Sequence, residues 1–222
     1  IQSRGKLVVA VRESEGIFWP NGQVFTGFEH DLITELEQQL DLPIQIFAVR
    51  NMEDLYRALE SGAVDMALPG TSLEGDSPFS SQAYGYTQIG LVHTKTQPNP
   101  EAAFRTGILD PEAHQQSMLS ALDSVENGSA VYEPGRISAE LFTLLEMNEL
   151  EQVLIDERDF KLQQNVFPDL RFTPLAQPER ALRAIFSGQK DDTLRPHIDQ
   201  AINAIAESGL LVQMHDRYFG EA

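Results

Sequence analysis

Lys6-Leu7-Val8-Val9-Ala10-Val11 is the stretch from which the fold is read. Its apolar residues follow one another without polar alternation and include the β-branched Val8, Val9 and Val11, the pattern of a strand buried on both faces in a parallel sheet. A loop rich in Gly and aromatics comes next. Phe28, Leu32, Ile33, Leu36 and Leu40 then fall at helical spacing, with Pro43 beyond the helix end. Ile44 to Val49 makes a second strand, after which Asn51 and Asp54 form a helix start whose Met52, Leu55 and Leu59 face inward. Ser61-Gly62 ends that helix. Asp65-Met66-Ala67-Leu68 is a third strand, so the opening residues alternate βαβαβ, the order of a doubly wound sheet.

A second alternation begins further on. Phe104 to Leu109 (strand), His114 to Leu122 (helix), Ala130 to Tyr132 (strand), Ile137 to Met147 (helix) and Gln152 to Ile155 (strand) follow in turn. Between the two alternations lie an apolar segment, Gln88 to His93, and an aperiodic one, Thr94 to Pro100, where a crossover into a second lobe is expected. Arg171 to Leu175 is a strand leading out of that lobe. Leu194, Ile198, Ile202 and Ile205 mark a long amphipathic helix, ended by Gly209 before a last turn carrying Leu210, Leu211, Met214 and Tyr218. The halves resemble one another in pattern only.

Charge narrows the partners. Against 34 Asp and Glu there are 16 Lys and Arg, a formal net charge of −18, and a field of that sign repels phosphate backbones and anionic headgroups. Nucleic acid is therefore not an expected partner. At 222 residues, 41% hydrophobic and 23% charged, the composition is that of an ordinary globular chain of one large or two small domains. No run approaches the ~18 apolar residues that span a bilayer. Without cysteine there is no disulfide framework, thiolate metal site or thiol nucleophile. Ile1 stands first with no charged-then-apolar leader before it, which is read as the trace of a trimmed export signal.

Enzyme signatures are weak. Gly70-Thr71-Ser72-Leu73-Glu74 imitates a nucleophile elbow, but Glu74 occupies the last glycine position, and Gly75 and Pro78 obstruct the helix that must follow. The five histidines, His30, His93, His114, His197 and His215, never pair at helical spacing, so no metal site is expected. Phosphate-cradling glycine loops are missing, and no cofactor is expected. Asn127-Gly128-Ser129 is read as a turn rather than a glycosylation acceptor. What remains is placement: in open α/β sheets, ligands lie at the carboxyl ends of strands. Past the first strand come Arg12, Glu13, Ser14 and then Phe18-Trp19; past the third come Gly70, Thr71 and Ser72. The hydroxyls and the amides near Gly70 suit a polar or anionic group. Phe18 and Trp19 suit a flat apolar wall, with a cap on the first lobe's core as the alternative.

Several pieces in order resemble the periplasmic solute-binding proteins of the polar amino acid type and their related sensor domains. Gly5 to Val11 is similar to the family's opening strand, and Gly27-Phe28-Glu29-His30-Asp31-Leu32 to its Gly-Phe-Asp-x-Asp helix start. Leu59-Glu60-Ser61-Gly62-Ala63-Val64-Asp65 resembles its Leu-x-x-Gly-x-x-Asp signature. Ala206 to Leu211, running on to Asp216-Arg217-Tyr218-Phe219-Gly220, resembles its terminal helix and Tyr-Phe-Gly end.

The resemblance implies an α/β fold of two Rossmann-like lobes joined by a two-strand hinge, the type II periplasmic binding protein fold. Lobe 1 would hold residues 1–88 and 178–222, and lobe 2 residues 89–177. It further implies a monomeric, periplasmic module that closes on a small polar ligand and works with an ABC transporter permease or a fused signalling or enzymatic domain. Relatives grip an α-carboxylate with an arginine soon after the position of Ser72, where this chain has Glu74, Gly75, Asp76 and Ser77. An ordinary α-amino acid is therefore not the expected ligand. Arg12 is placed to supply the missing cation, or to pair with Glu13 or Glu15 at the surface. In lobe 2 the family's polar turn is replaced by Asp110-Pro111-Glu112-Ala113. Arg136, ahead of a helix, is an anion site or a surface residue, and Asp156 stands where relatives hold a ligand ammonium. Two other classes stay open: a dehydratase of cyclic acids using Glu13, Glu74 or Asp156, and a ligand-free interaction domain.

Overall fold

In the computed structural model, residues 5–71, 79–95, 105–109, 131–135, 137–175, 179–188 and 193–220 are described, 131–135 by their backbone. In chain order the strands are β1 (Leu7–Arg12), β2 (Trp19–Asn21), β3 (Val24–Thr26), β4 (Ile44–Val49), β5 (Met66–Leu68), β6 (Gly85–Thr87), β7 (Ile89–His93), β8 (Arg105–Leu109), β9 (Val131–Gly135), β10 (Gln152–Asp156), β11 (Arg171–Pro174), β12 (Arg180–Leu182) and β13 (Ile185–Phe186). The helices are α1 (Phe28–Leu40), α2 (Met52–Glu60), α3 (Ser138–Glu146), α4 (Glu157–Gln163), α5 (Leu194–Glu207) and α6 (Leu210–Phe219).

Two compact units result, residues 1–86 with 180–222 and residues 87–179. The chain enters the second unit just ahead of β7, so Ile89 to His93 of the apolar segment is part of that unit's sheet rather than a connection before it. β6 and β12, which flank the two passages, pair with one another.

Unit 1 is built on the order β13-β5-β1-β4. β1 is buried along its whole length because it is central and parallel to both neighbours, with Val9 opposite Met66 and Ile46. β4 is half exposed because it is the edge. The step from β1 to β4 runs one way and that from β4 to β5 runs back across β1, so the strand order reverses between β1 and β5. Right-handed crossovers then put α1 and α2 on opposite faces. α1 packs on α5 and α6, with Leu32, Ile33 and Leu36 buried on one helix and Ile198, Ile202 and Ile205 on another. Asn51 caps α2 as expected, its Oδ1 accepting from Asp54 N at 2.8 Å.

Unit 2 repeats the plan in the order β11-β7-β10-β8-β9. β8 is parallel to both β9 and β10, and β7 runs antiparallel to β10 as β13 does to β5. β11 is the outer neighbour of β7. Leu141, Phe142, Leu145, Val153, Ile155 and Phe167 form its core, with the Phe142 ring edge-on to Phe167 at 5.6 Å. The expected helix at 114–122, the turn at 110–113, the Asn127-Gly128-Ser129 turn and the acidic segment Glu74 to Ser77 lie outside the described residues.

Candidate functional site

The reversal in unit 1 is bordered by the loops after β1 and β5, and one isoleucine joins them. After β1 the chain turns tightly, with Ile17 N and Phe18 N both donating to Ser14 O at 3.1 Å. The loop is then stitched to α1, because Phe28 N donates to Gly16 O at 2.7 Å and His30 N to Ile17 O at 3.0 Å, satisfying first-turn amides that have no partner inside a helix. At Gly27, φ 134°, a Cβ would lie 2.3 Å from the Ile17 carbonyl oxygen, and at Gly70, φ 66°, a Cβ would lie 2.5 Å from the Ile17 side chain. Both positions demand glycine. The family-like Gly27-Phe28 start and Gly70 are thus two sides of one close approach.

Arg12 is 3% exposed at the carboxyl end of β1. Its Nε donates to the Pro69 carbonyl at 3.2 Å, which holds the guanidinium across the two loops. Thr71 is buried beside them, and Glu13, half-buried, is fixed through its backbone N–H to Val49 O at 2.7 Å. Trp19 sits half-buried in β2, opposite Thr26 of the hairpin. Phe18 is buried and stacked on Phe25 at 4.4 Å, with the His30 ring 5.8 Å away. Arg12, Glu13, Gly70 and Thr71 therefore come together around the reversal, while Phe18 packs into the hairpin. Ser72 lies outside the described residues.

The equivalent reversal in unit 2 falls between β8 and β10, and Asp156 ends β10. It is 4% exposed and caps α4. Its Oδ1 accepts from the Thr87 hydroxyl and from Arg158 N, the latter at 2.9 Å, while Oδ2 takes no hydrogen bond among the described residues. Burial pushes the Asp156 carboxyl above the usual carboxylate range, against the opposing pull of the Thr87 hydrogen bond and the Arg158 charge. Arg136 lies outside the described residues.

Sequence reasoning missed Thr87 and Arg158. Nothing local marks Thr87, whose contact with Asp156 spans 69 positions. Arg158 had a signal: an aspartate between a strand and a helical run is an N-cap, and the cap fixes which residues stand beside it. Among the described residues no cluster of His, Asp and Glu could hold a metal ion, and no helix is long and apolar enough to cross a membrane.

The model of the bacterial extracellular solute-binding proteins, family 3, matches residues 7–221. The chain belongs to this family. Its fold is that family's two-unit α/β fold, the type II periplasmic binding protein fold. The chain is 23% identical over 230 residues to membrane-bound lytic murein transglycosylase F of Pseudomonas putida strain GB-1, and 21% identical over 237 residues to that of Pseudomonas syringae pv. syringae strain B728a. Each match covers 99% of this chain and 46–47% of the relative, so the chain spans about half the length of these curated relatives. Among solved structures, an ancestral cationic amino acid solute-binding protein, AncCDT-1, superposes with TM-score 0.78 at 14% identity, covering 99% of this chain and 97% of that one. The amino acid ABC transporter substrate-binding protein AbpA of Streptococcus pneumoniae Canada MDR_19A, bound to L-arginine, gives 0.76 at 20% identity, covering 99% and 96%.

Proposed function

We propose that this member of the solute-binding family is a periplasmic binding or sensory module for a small polar, anionic ligand that is not an ordinary α-amino acid. The observation that carries this reading is the pair of buried ionisable groups at the two strand-order reversals: Arg12 in unit 1, held by Pro69, and Asp156 in unit 2, held by Thr87. Both stand at the carboxyl ends of their strands, and in open α/β sheets this is where ligands lie. Arg12 would meet an anionic group, with Thr71, Ser72 and the amides near Gly70 as neutral partners and Trp19 as an apolar one. Asp156 Oδ2 would accept from a ligand donor, and Arg136 is the second cation proposed for the anion.

The partner would be an ABC transporter permease or a fused domain; the transglycosylase F relatives favour the fused arrangement. Mass spectrometry of the solute that co-purifies with the native protein tests the ligand class, and an α-amino acid would overturn it. Solution scattering tests the mechanism. Binding is expected to raise the melting temperature and shrink the radius of gyration, since a ligand shifts a conformational equilibrium only through differential affinity. Stabilisation without compaction would overturn ligand-driven closure.

A dehydratase acting on cyclic acids is the second reading. The burial that raises the Asp156 pKa favours it, because that is the direction in which a carboxyl is tuned for general-acid work. Turnover of a cyclic hydroxy acid, lost in Asp156→Asn, would support it.

A further inference from the structure

In unit 2 a groove of about 490 Å³ lies between α4 and β11, within the size range of small-molecule sites. Arg171 stands at this groove on β11. Its Nη1 donates to Pro168 O at 2.7 Å and Leu170 O at 2.8 Å, so the guanidinium is fixed by backbone, and no carboxylate neutralises it among the described residues. Lys161 is a second cation in the lining, one helical turn from its ion-pair partner Glu157 at 3.5 Å. In a chain of net charge −18, the lining sets two cations, Lys161 and Arg171, against one carboxylate, Glu157, a local excess of positive charge.

The rest of the lining narrows the ligand. Gln164 and Asn165 carry carboxamides without a side-chain hydrogen bond to the described residues, and a carboxamide both donates and accepts, as hydroxyls require. Phe160 and Phe172 stack on one another at 5.7 Å and 19° and give the groove an apolar wall. With Nη1 committed to backbone, the Nε and Nη2 edge of Arg171 remains as a fork for a carboxylate. We propose that this groove binds a small sugar acid, its carboxylate on Arg171, its hydroxyls on Gln164 and Asn165 and its C–H edge against the apolar wall. The lining includes neither Arg12 nor Asp156, and the proposal does not depend on their ligand.

The test is calorimetry on the full 222-residue chain with D-glucuronate, D-glucose and acetate. Glucuronate is expected to bind, glucose at least tenfold more weakly because it lacks only the carboxylate, and acetate not measurably. Arg171→Gln should weaken glucuronate at least tenfold and leave the circular dichroism unchanged. Lys161→Gln should weaken it less, and Arg12→Ala should leave it intact. Equal glucuronate affinity in Arg171→Gln, equal binding of acetate and glucuronate, or no heat with glucuronate up to about 10 mM would each overturn the proposal. Loss of glucuronate binding in Arg12→Ala would also overturn it, while leaving the Proposed function standing.

Discussion

Arg12 reaches from the end of β1 to the Pro69 carbonyl, 3.2 Å from its Nε, and so bridges the two loops at the strand-order reversal of unit 1. Arg12→Ala is expected to weaken the co-purifying anionic solute by ~1.5–3 kcal/mol, the scale of a charge-assisted hydrogen bond. Titration calorimetry checks this, and unchanged affinity would remove Arg12 from the site.

Gly70 faces Ile17 with no room for a methyl group. Gly70→Ala is expected to lower stability by about 1–3 kcal/mol from its left-handed backbone conformation, with a further loss from the clash. Trimming the neighbour in Gly70→Ala with Ile17→Ala should return the clash part and not the backbone part, giving a non-additive cycle by denaturant melts.

Asp65 accepts from Val8 N at 2.8 Å through its Oδ2, while its own N–H donates to Val8 O at 2.8 Å. The aspartate of the Leu-x-x-Gly-x-x-Asp stretch thus completes the sheet where β5 has not yet begun. Asp65→Ala leaves the buried Val8 amide without that acceptor and is expected to cost about 1–3 kcal/mol. Ligand affinity measured on the folded fraction should not move.

The buried Asp156 carboxyl titrates above the usual range. A folded-state value above the unfolded one means the native protein holds the extra proton. Stability from this group is therefore full below the unfolded pKa and falls as pH rises toward the folded one. Asp156→Asn keeps an acceptor for Thr87 and Arg158 N but cannot ionise. The melting temperature of this variant relative to wild type should rise with pH from about 4 upward and then level off. A difference independent of pH would show that burial does not control this carboxyl.

The fold was legible where burial and local chemistry agree. Leu7 to Val11 has one environment on both faces, and Asn51 needs only the amide of Asp54 to act as a cap, so both were readable from neighbours in sequence. The hairpin of β2 and β3 was not: Pro20 and Asn21 mask its strand character, and Val24 and Phe25 are exposed, so it lacks the alternation that marks a strand. Phe18 illustrates the limit at the site. An aromatic after a strand suits a ligand wall, but its stack on Phe25 depends on that unread hairpin. Arg12 and Asp156 could be placed at strand ends from the βα order, whereas Thr87 reaches Asp156 through pairing of β7 with β10, a relation that only the folded sheet reveals.

Unit 1 is made of two separated pieces of chain, and unit 2 of a single stretch inserted between them. Because synthesis delivers the amino-terminal part first, residues 1–86 leave the ribosome before the helix partners Ile198, Ile202 and Ile205 exist. Leu32, Ile33 and Leu36 must then wait, uncovered, through translation of the whole insert. The inserted unit, complete in the chain before the last piece of unit 1, can therefore finish folding first.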